Sequence, residues 1–186
     1  LDVGANIGTK ALFLSRHCHG GRVVAIEAGP RVADCLALNL RINGAANVSV
    51  ERAAVGDDIG TVRFIERSAY GHMIPEEGRS DETIEVPMTT LDAIVARHNL
   101  PRVDFIKLDT EGSEFLILKS ALDLVNRHQS LVLLEFNAFT LIALGNSNPR
   151  AFLDWLFDHF THVLAVDRSP SGDLLRRYEK TEWVDI

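Results

Sequence analysis

Short apolar runs alternate with helical patterns along the whole chain, and this alternation limits the possible folds more than any other feature. The periodicities predict strands at residues 1–3, 23–26, 48–53, 61–65, 83–88, 103–108, 131–136, 163–166 and 178–184, and helices at 7–16, 31–42, 91–98, 113–125 and 150–159. Residues 66–82 carry Gly, Pro and charge without periodicity and are predicted to form a loop. Strands that alternate with helices are typical of α/β proteins with a mainly parallel sheet.

The size and charge of the chain indicate a single globular domain that does not bind nucleic acid. The chain has 186 residues and a formal net charge of −7, whereas non-specific nucleic-acid binding needs a basic surface. The most apolar stretch, residues 131–144, is interrupted by Glu135 and Asn137, so no membrane span is predicted. We expect one domain over residues 1–186, truncated at its N-terminus because Leu1 lies inside a predicted strand.

The two cysteines, Cys18 and Cys35, are expected to be free thiols, since a chain of this length holds a core without disulfides. Nothing in the cysteine usage requires an oxidising compartment, and we expect a cytoplasmic protein. Cys18 also lies within His17-Cys18-His19, but adjacent side chains at a helix end point apart and do not converge on a metal.

A glycine-containing turn between the first strand and the first helix marks a candidate ligand site. Residues 2–8 are Asp-Val-Gly-Ala-Asn-Ile-Gly, and such a turn lets the backbone approach a ligand while the helix start presents free N–H groups. The dinucleotide fingerprint has glycine at its first, third and sixth positions, and here the first alone is glycine. The Asp-x-Gly-x-x-x-Gly spacing instead fits the first motif of S-adenosylmethionine (SAM) binders. The cofactor-binding candidates in this turn are Asp2, Gly4, Ala5, Asn6 and Gly8.

Glu27 ends the second predicted strand and is a further cofactor-binding candidate. An acidic side chain at this position can accept hydrogen bonds from both ribose hydroxyls of a nucleoside. The structural alternative for the glycine turn and Glu27 together is a Rossmann-like turn that binds no ligand.

Residues 107–114 place three acids and a lysine at the end of a strongly apolar predicted strand. Period-two alternation puts Lys107 and Asp109 on one face, with Asp109 at the carboxyl end, where open α/β sheets bind ligands. A buried lysine needs a carboxylate neighbour. The alternative interpretation is a structural ion pair, with Glu111 and Glu114 favoured at a helix N-terminus by the helix dipole.

Together these motifs resemble the FkbM family of SAM-dependent methyltransferases. The matching segments are residues 2–8, Glu27, residues 54–56 and residues 103–114. The resemblance covers roughly residues 1–140, and Lys-x-Asp-x-Glu-Gly-x-Glu is its most specific part. It implies a Rossmann-like class I methyltransferase fold, with a mostly parallel seven-stranded sheet of order 3-2-1-4-5-7-6 and strand seven antiparallel. The family usually has Glu-Pro after the second strand, whereas this chain has Glu-Ala-Gly-Pro at 27–30.

The resemblance also implies a cofactor and an acceptor. The cofactor is SAM, with Asp2 bracing the glycine turn and the cofactor's amine, Glu27 holding its ribose, and the turn at Ala54 holding its adenine. The acceptor is the hydroxyl of a sugar or a small natural product, and N-methylation stays open. Two other functions also stay open: a SAM-binding module without catalysis, and an NAD(P)-dependent oxidoreductase.

The catalytic candidates are Asp109, Lys107 and Glu111. Asp109 is expected nearest the transferred methyl group, either orienting the cofactor or accepting the acceptor's proton, and Lys107 would tune it through their charges. His72 is an alternative proton acceptor because an imidazole can exchange a proton near neutral pH. A loop histidine without a role is the competing interpretation.

A metal at the same edge is a further alternative. Asp109, Glu135 and Asn137 supply the oxygen ligands that Mg²⁺ prefers. Polar residues lining a substrate pocket explain the same pattern, and the site is predicted to hold no metal.

Overall fold

The computed structural model describes residues 1–18, 20–66, 71–74, 83–169 and 172–178, with the backbone alone at 167–169 and 172–174. These residues belong to two units, Leu1–Asn146 and Ser147–Ile186. The single-domain organisation stays a prediction. Within the described part of the chain, no helix has the length and apolar character needed to cross a membrane.

Strands and helices alternate through much of the first unit, as the sequence predicts, but five consecutive described strands follow one another between residues 48 and 89. Its strands are β1 (Asp2–Val3), β2 (Val23–Ile26), β3 (Val48–Glu51), β4 (Ala54–Val55), β5 (Gly60–Ile65), β6 (His72–Met73), β7 (Thr83–Thr89), β8 (Phe105–Leu108) and β9 (Leu131–Leu134). Its helices are α1 (Thr9–His17), α2 (Pro30–Ile42), α3 (Leu91–Arg97), α4 (Glu114–Ser120), α5 (Leu122–His128) and α6 (Ala138–Ala143). The second unit contains α7 (Pro149–His159), β10 (Leu164–Ser169) and β11 (Gly172–Arg177).

The central sheet has five parallel strands in the order β3-β2-β1-β8-β9. This order matches the first five positions of the predicted 3-2-1-4-5-7-6 arrangement. The strands β10 and β11 pair antiparallel with each other in a separate two-stranded sheet. The α/β class with a mainly parallel sheet is therefore confirmed, and the complete seven-strand order is not.

The middle of the central sheet is covered on both faces, because every residue of β1 and β2 is buried. Strands buried on both faces are typical of parallel sheets and explain their continuous apolar runs. Ala11 of α1 and Leu36 and Leu40 of α2 pack with Ala25 of β2 and with Ala5. This packing fixes both helices on the sheet, and with them the turn that begins each helix.

The strand β9 differs from the prediction of a buried strand over residues 131–136. It ends at Leu134, and its alternate side chains are exposed, Leu131 by 64% and Leu133 by 48%. It pairs with β8, and no other described strand pairs with it. The edge position accounts for the exposure, which a run of apolar residues does not reveal.

A second sheet has the order β4-β7-β5-β6, with β5 antiparallel to β7 and β6 and with β4 parallel to β7. Its strand β6 corrects the prediction of a loop over residues 66–82, because His72 pairs with Ile65 and Met73 with Phe64. The rest of that prediction at 67–70 and 75–82 lies outside the described residues.

The second sheet lies beside the carboxyl end of β2. Its core consists of Ala54, Phe64 and Val86, and Ala28, which follows β2, packs against this core. The sheet therefore forms a wall next to the edge at which the central strands end.

The later elements differ from the prediction in three places. The helix predicted over 113–125 is divided at Ala121 into α4 and α5, with no Gly or Pro to signal the break. The helix α6 was not predicted, although Asn137 is a favourable N-cap and accepts hydrogen bonds from the first turn. The strand β11 was not predicted; of the strand predicted at 178–184, Tyr178 lies just after β11, and residues 179–184 lie outside the described residues.

Candidate active site at the carboxyl edge of the central sheet

The turn between β1 and α1 is held tightly against its neighbours. Gly4 and Ala5 both donate backbone hydrogen bonds to the carbonyl oxygen of Ile26, at 3.1 and 2.9 Å. Gly4 has a φ of +71°, and a Cβ on it would lie 1.8 Å from the carbonyl oxygen of Asp109. Glycine therefore allows the ends of β1, β2 and β8 to meet at one point.

Glu27 follows β2 and lies at the same point. Its carboxylate accepts hydrogen bonds from the backbone N–H groups of Asn6 and Gly29, both at 2.9 Å. Burial raises the pKa of Glu27, and these hydrogen bonds offset the effect only in part. Each carboxylate oxygen retains a lone pair, which suits a group that holds two ribose hydroxyls.

A second carboxylate, that of Glu66 after β5, caps the N-terminus of α2. It accepts hydrogen bonds from the backbone N–H groups of Arg31 (2.8 Å) and Val32 (3.1 Å) and pairs with the Arg31 guanidinium at 2.9 Å. Desolvation acts to raise the pKa of Glu66, but these hydrogen bonds together outweigh it and lower the pKa. A Cβ on Gly29 would lie 2.8 Å from Glu66 Oε1. Gly29 thus leaves room for the cap, which a side chain at this position would displace.

Lys107 of β8 connects three parts of the site. Its Nζ lies 3.3 Å from Asp2 Oδ1 and 3.2 Å from Asp109 Oδ2, and it donates a hydrogen bond to the carbonyl oxygen of Gly4 at 3.2 Å. The predicted carboxylate neighbour is confirmed, and there are two. Burial raises the pKa of the fully enclosed Asp2, and the charge of Lys107 opposes this effect.

Three carboxylates converge in front of Lys107. Asp109, Glu111 and Glu135 each place one oxygen within 4.8 Å of the others. Partial burial, a hydrogen bond to Asp109 and the nearby negative charges raise the pKa of Glu135 to about 7. Burial and the charges of Asp109 and Glu114 also raise the pKa of Glu111, and His72 opposes this increase. The arrangement suits a proton shared between Glu135 and Asp109.

The side chain of Asn137 is not positioned as the metal alternative expects. Its Oδ1 accepts hydrogen bonds from the backbone N–H groups of Phe139 (3.0 Å) and Thr140 (3.4 Å) as the cap of α6. Glu111 takes its place beside Asp109 and Glu135.

A cleft of about 210 Å³ opens at this edge of the sheet. Its lining includes predicted site residues from the central sheet and residues from the second sheet. They are Val3, Gly4, Asn6, Ile26, Glu27, Ala28, Ala53, Ala54, Val55, Phe64, Gly71, Met73, Asp109, Thr110, Glu111 and Ser113. Four of the predicted cofactor-binding and catalytic residues do not line it and are buried behind the lining: Asp2, Ala5, Gly8 and Lys107. The alternative candidates His72, Glu135 and Asn137 are not part of the lining either.

The sequence prediction missed the wall of the cleft that the second sheet supplies. Phe64, Gly71 and Met73 reach the cleft because β5 and β6 pair, and no local pattern announces that pairing. The length of the segment 66–82 was the available signal, since long loops in small domains are often functional. The role of Glu114 was also missed and is described below.

The histidine and cysteine cluster near the end of α1 forms no ligand set among the described residues. His17 Nδ1 bonds to the carbonyl oxygen of Phe13 at 2.8 Å, and the two rings stack. Cys18 and Cys35 are free thiols, as predicted. His19 lies outside the described residues.

A parallel sheet with a glycine turn after its first strand and an acid after the next is the arrangement typical of Rossmann-like folds. Residues 2–164 match the family described as the methyltransferase FkbM domain, and the chain belongs to this family. The resemblance stated from the motifs is therefore confirmed.

Two similar proteins illustrate the relationship. The chain is 26% identical over 151 residues to methyltransferase sdnD of Sordaria araneosa, an alignment of 64% of this chain and 58% of that protein. The crystal structure of methyltransferase FkbM from Methylobacillus flagellatus superposes with a TM-score of 0.62 at 19% identity, covering 95% of this chain and 42% of that one. The chain thus spans about half the length of these proteins, and the structural match supports the fold alone.

Proposed function

We propose that the chain is a methyltransferase domain that uses SAM and methylates a hydroxyl group of a sugar or a small natural product. The observation that carries this proposal is that the glycine turn, Glu27 and Asp109 line one cleft, and that Glu135 is hydrogen-bonded to Asp109. Methyl transfer to a hydroxyl needs a positioned cofactor, which an acid that binds the ribose helps to supply. It also benefits from a group that accepts the hydroxyl proton, which the carboxylate pair can supply.

The residues of the cleft fit the cofactor. Glu27 would hold the ribose, because each oxygen of its carboxylate keeps a free lone pair. Gly4 and Asn6 would line the methionine portion, and Gly4, which has no Cβ, lies at the tightest point. Ala54 and Phe64 would supply apolar contacts for the adenine. When bound, SAM supplies a methyl group on a sulfonium, which is electrophilic without further activation.

The acceptor's proton would go to the Asp109–Glu135 pair. A carboxylate whose pKa lies near neutrality can take a proton from a hydroxyl as its oxygen forms the new bond to carbon. Glu135 meets this requirement because its pKa is raised to about 7. Lys107 lies behind Asp109, so it would act as a positioning residue and not as a group that touches the acceptor.

The first test is isothermal titration of the protein with SAM and, separately, with NAD⁺. We expect micromolar SAM binding and no heat with NAD⁺, and Glu27→Gln should weaken SAM binding at least tenfold because the ribose loses a charged acceptor. Glu85→Gln is the matched control, since Glu85 is exposed on β7. Binding of NAD⁺ alone would overturn the proposal.

The second test follows transfer of a labelled methyl group from SAM to a panel of sugars, small hydroxylated compounds and amines. Product on hydroxyl acceptors, unaffected by EDTA, supports the proposal and the metal-free prediction. Transfer to amines alone would overturn the O-methylation assignment. SAM binding without transfer to any acceptor would favour the non-catalytic module, and activity that EDTA abolishes would overturn the metal-free prediction.

A further inference from the structure

Glu114 is a buried charged residue to which the proposed reaction assigns no role. It is the first residue of α4, and its side chain is 1% exposed. A carboxylate is almost never buried so completely unless it is paired or strongly hydrogen-bonded. Its interactions therefore show what it is used for.

The carboxylate of Glu114 bonds to the loop that precedes it. One oxygen accepts hydrogen bonds from the backbone N–H of Thr110 at 2.6 Å and from Thr110 Oγ1 at 3.0 Å. The other oxygen accepts from the backbone N–H of Gly112 at 2.9 Å. The two anchor points lie directly before and after Glu111, so Glu114 holds that residue from both sides.

Glu111 needs such support because its backbone is in the left-handed region. Its φ is +55°, a conformation that costs free energy for a residue with a Cβ. In this conformation its carboxylate lies with those of Asp109 and Glu135. Relaxation of the backbone at Glu111 would move that carboxylate away from the other two.

Both ends of the loop between β8 and α4 are held by other contacts, so Glu114 fixes the part that these contacts do not reach. The backbone N–H of Asp109 donates to the carbonyl oxygen of Val3 at 3.2 Å. A Cβ on Gly112 would lie 2.5 Å from the carbonyl oxygen of Thr140, so the far end of the loop packs against α6. Glu111 lies between these two contacts and depends on Glu114.

We infer that Glu114 is a positioning residue for methyl transfer, which holds Glu111 beside the Asp109–Glu135 pair and touches neither cofactor nor acceptor. The inference rests on the proposed function. It assigns to the last acid of the Lys-x-Asp-x-Glu-Gly-x-Glu motif the task of fixing the acid three residues earlier. The negative charge on Glu111 then contributes to the environment in which Glu135 takes up a proton.

The charged groups around Glu135 determine what a test must detect. They are Asp109 and Glu111 in the loop after β8, and Glu114 of α4. Lys107 of β8 pairs with Asp109, and His72 of β6 acts on Glu111. Removing the charge of Glu114 and releasing Glu111 takes negative charge away from Glu135, so the apparent pKa of Glu135 must fall.

The experiment compares wild type with Glu114→Gln, which keeps the shape of the side chain but turns an N–H group toward one of its N–H donors. We expect kcat to fall 10- to 100-fold, KM for SAM to change less than threefold, and the midpoint of the pH–rate profile to move to lower pH. Carboxyl ¹³C chemical shifts of labelled glutamate, assigned with Glu135→Gln, should show the same shift of the Glu135 titration without any turnover. Glu85→Gln is the exposed control.

If the role of Glu114 is purely structural, Glu114→Gln will lower the free energy of unfolding but leave kcat within twofold of wild type. The midpoints of the pH–rate profile and of the ¹³C titration will then stay within 0.2 pH units of wild type. This result would overturn the inference. If Glu114→Gln does not fold, Thr110→Val removes one of the three hydrogen bonds and should shift the Glu135 titration in the same direction by less. If the wild type transfers no methyl group, the proposed function is contradicted. The effect of Glu114 on Glu135 can still be judged in that case, because the ¹³C titration needs no turnover.

Discussion

At the scale of single residues, the site depends on close contacts that a substitution would break. Lys107 is surrounded by Asp2, Asp109 and the carbonyl oxygen of Gly4. Removing one member of a buried ion pair leaves an uncompensated charge, which destabilises a protein far more than the pair stabilises it. The motif residues behind the cleft therefore act on its shape, whereas Glu27 and Asp109 face the cleft itself.

Gly4→Ala should prevent the turn from forming. A Cβ at this position would collide with the carbonyl oxygen of Asp109 at 1.8 Å, and the φ of +71° is itself unfavourable for alanine. We expect a loss of about 3 kcal/mol or more in the free energy of unfolding, measured with urea. Gly60→Ala is the matched control because no atom lies within 4 Å of a Cβ there. Equal stability of the two variants would contradict the packing described.

At the scale of elements, α2 is held by a side chain from the other sheet. Glu66 follows β5 and bonds to the first N–H groups of the helix, so the second sheet and the helix after the ribose acid are joined through one carboxylate. The lowered pKa of Glu66 means that its ionised form stabilises the fold. This contribution is present above the pKa of the unfolded state and is lost as pH falls through the lower pKa of the folded state.

Glu66→Gln should therefore cost stability in a pH-dependent way. At pH 7 we expect a loss of about 1 kcal/mol, the usual cost of removing a helix cap. The difference from wild type should shrink as pH falls from the unfolded-state pKa through the folded-state pKa, because wild-type Glu66 then becomes uncharged too. Urea unfolding at several pH values measures this, with Glu85→Gln as the exposed control. A difference that stays constant or widens toward acid pH would show that the charge of Glu66 does not cap α2.

Local sequence patterns predicted the strands and helices next to the candidate cofactor motifs. They did not predict the contacts between segments that are far apart in the sequence. The strand β2 has the predicted bounds, and the motif at 107–114 is placed at the end of β8 as expected. Glu66 and Arg31 are 35 residues apart, and the pairing of β6 depends on β5, so neither contact has a local signature. The bonds of Glu114 lie within four residues, but the same sequence is equally compatible with a simple helix-dipole role.

At the scale of the whole molecule, the carboxylate cluster costs stability that the fold must supply. The pKa of Glu135 is raised to about 7, above its value in the unfolded chain. The native state therefore loses stability as pH rises from about 4.5 toward 7, since the unfolded chain ionises first. Such a cost to stability is what the proposed role of the cluster in proton transfer would entail.

Glu135→Gln should change activity and stability in opposite directions. We expect wild-type kcat to rise with pH through about 7, and the variant to lose this step and at least 100-fold in kcat because the proton acceptor is gone. At pH 8 the variant should be more stable than wild type by about 1 kcal/mol, a small amount because Glu135 is partly exposed to solvent. The pH–rate profile and urea unfolding measure both. An unchanged pH–rate profile in the variant would show that Glu135 is not the proton acceptor.

The close approach of Gly112 to the end of α6 limits how this site can be transplanted. A Cβ on Gly145 would lie 1.9 Å from the carbonyl oxygen of Gly112, so the carboxylate loop and the residue after α6 share one space. A designer who grafts residues 107–114 onto another scaffold moves the acids without the surface that shapes their backbone. A portable unit must contain the motif together with residues 2–4 and 140–145, and an insertion or deletion in α6 is equivalent to a mutation in the candidate active site.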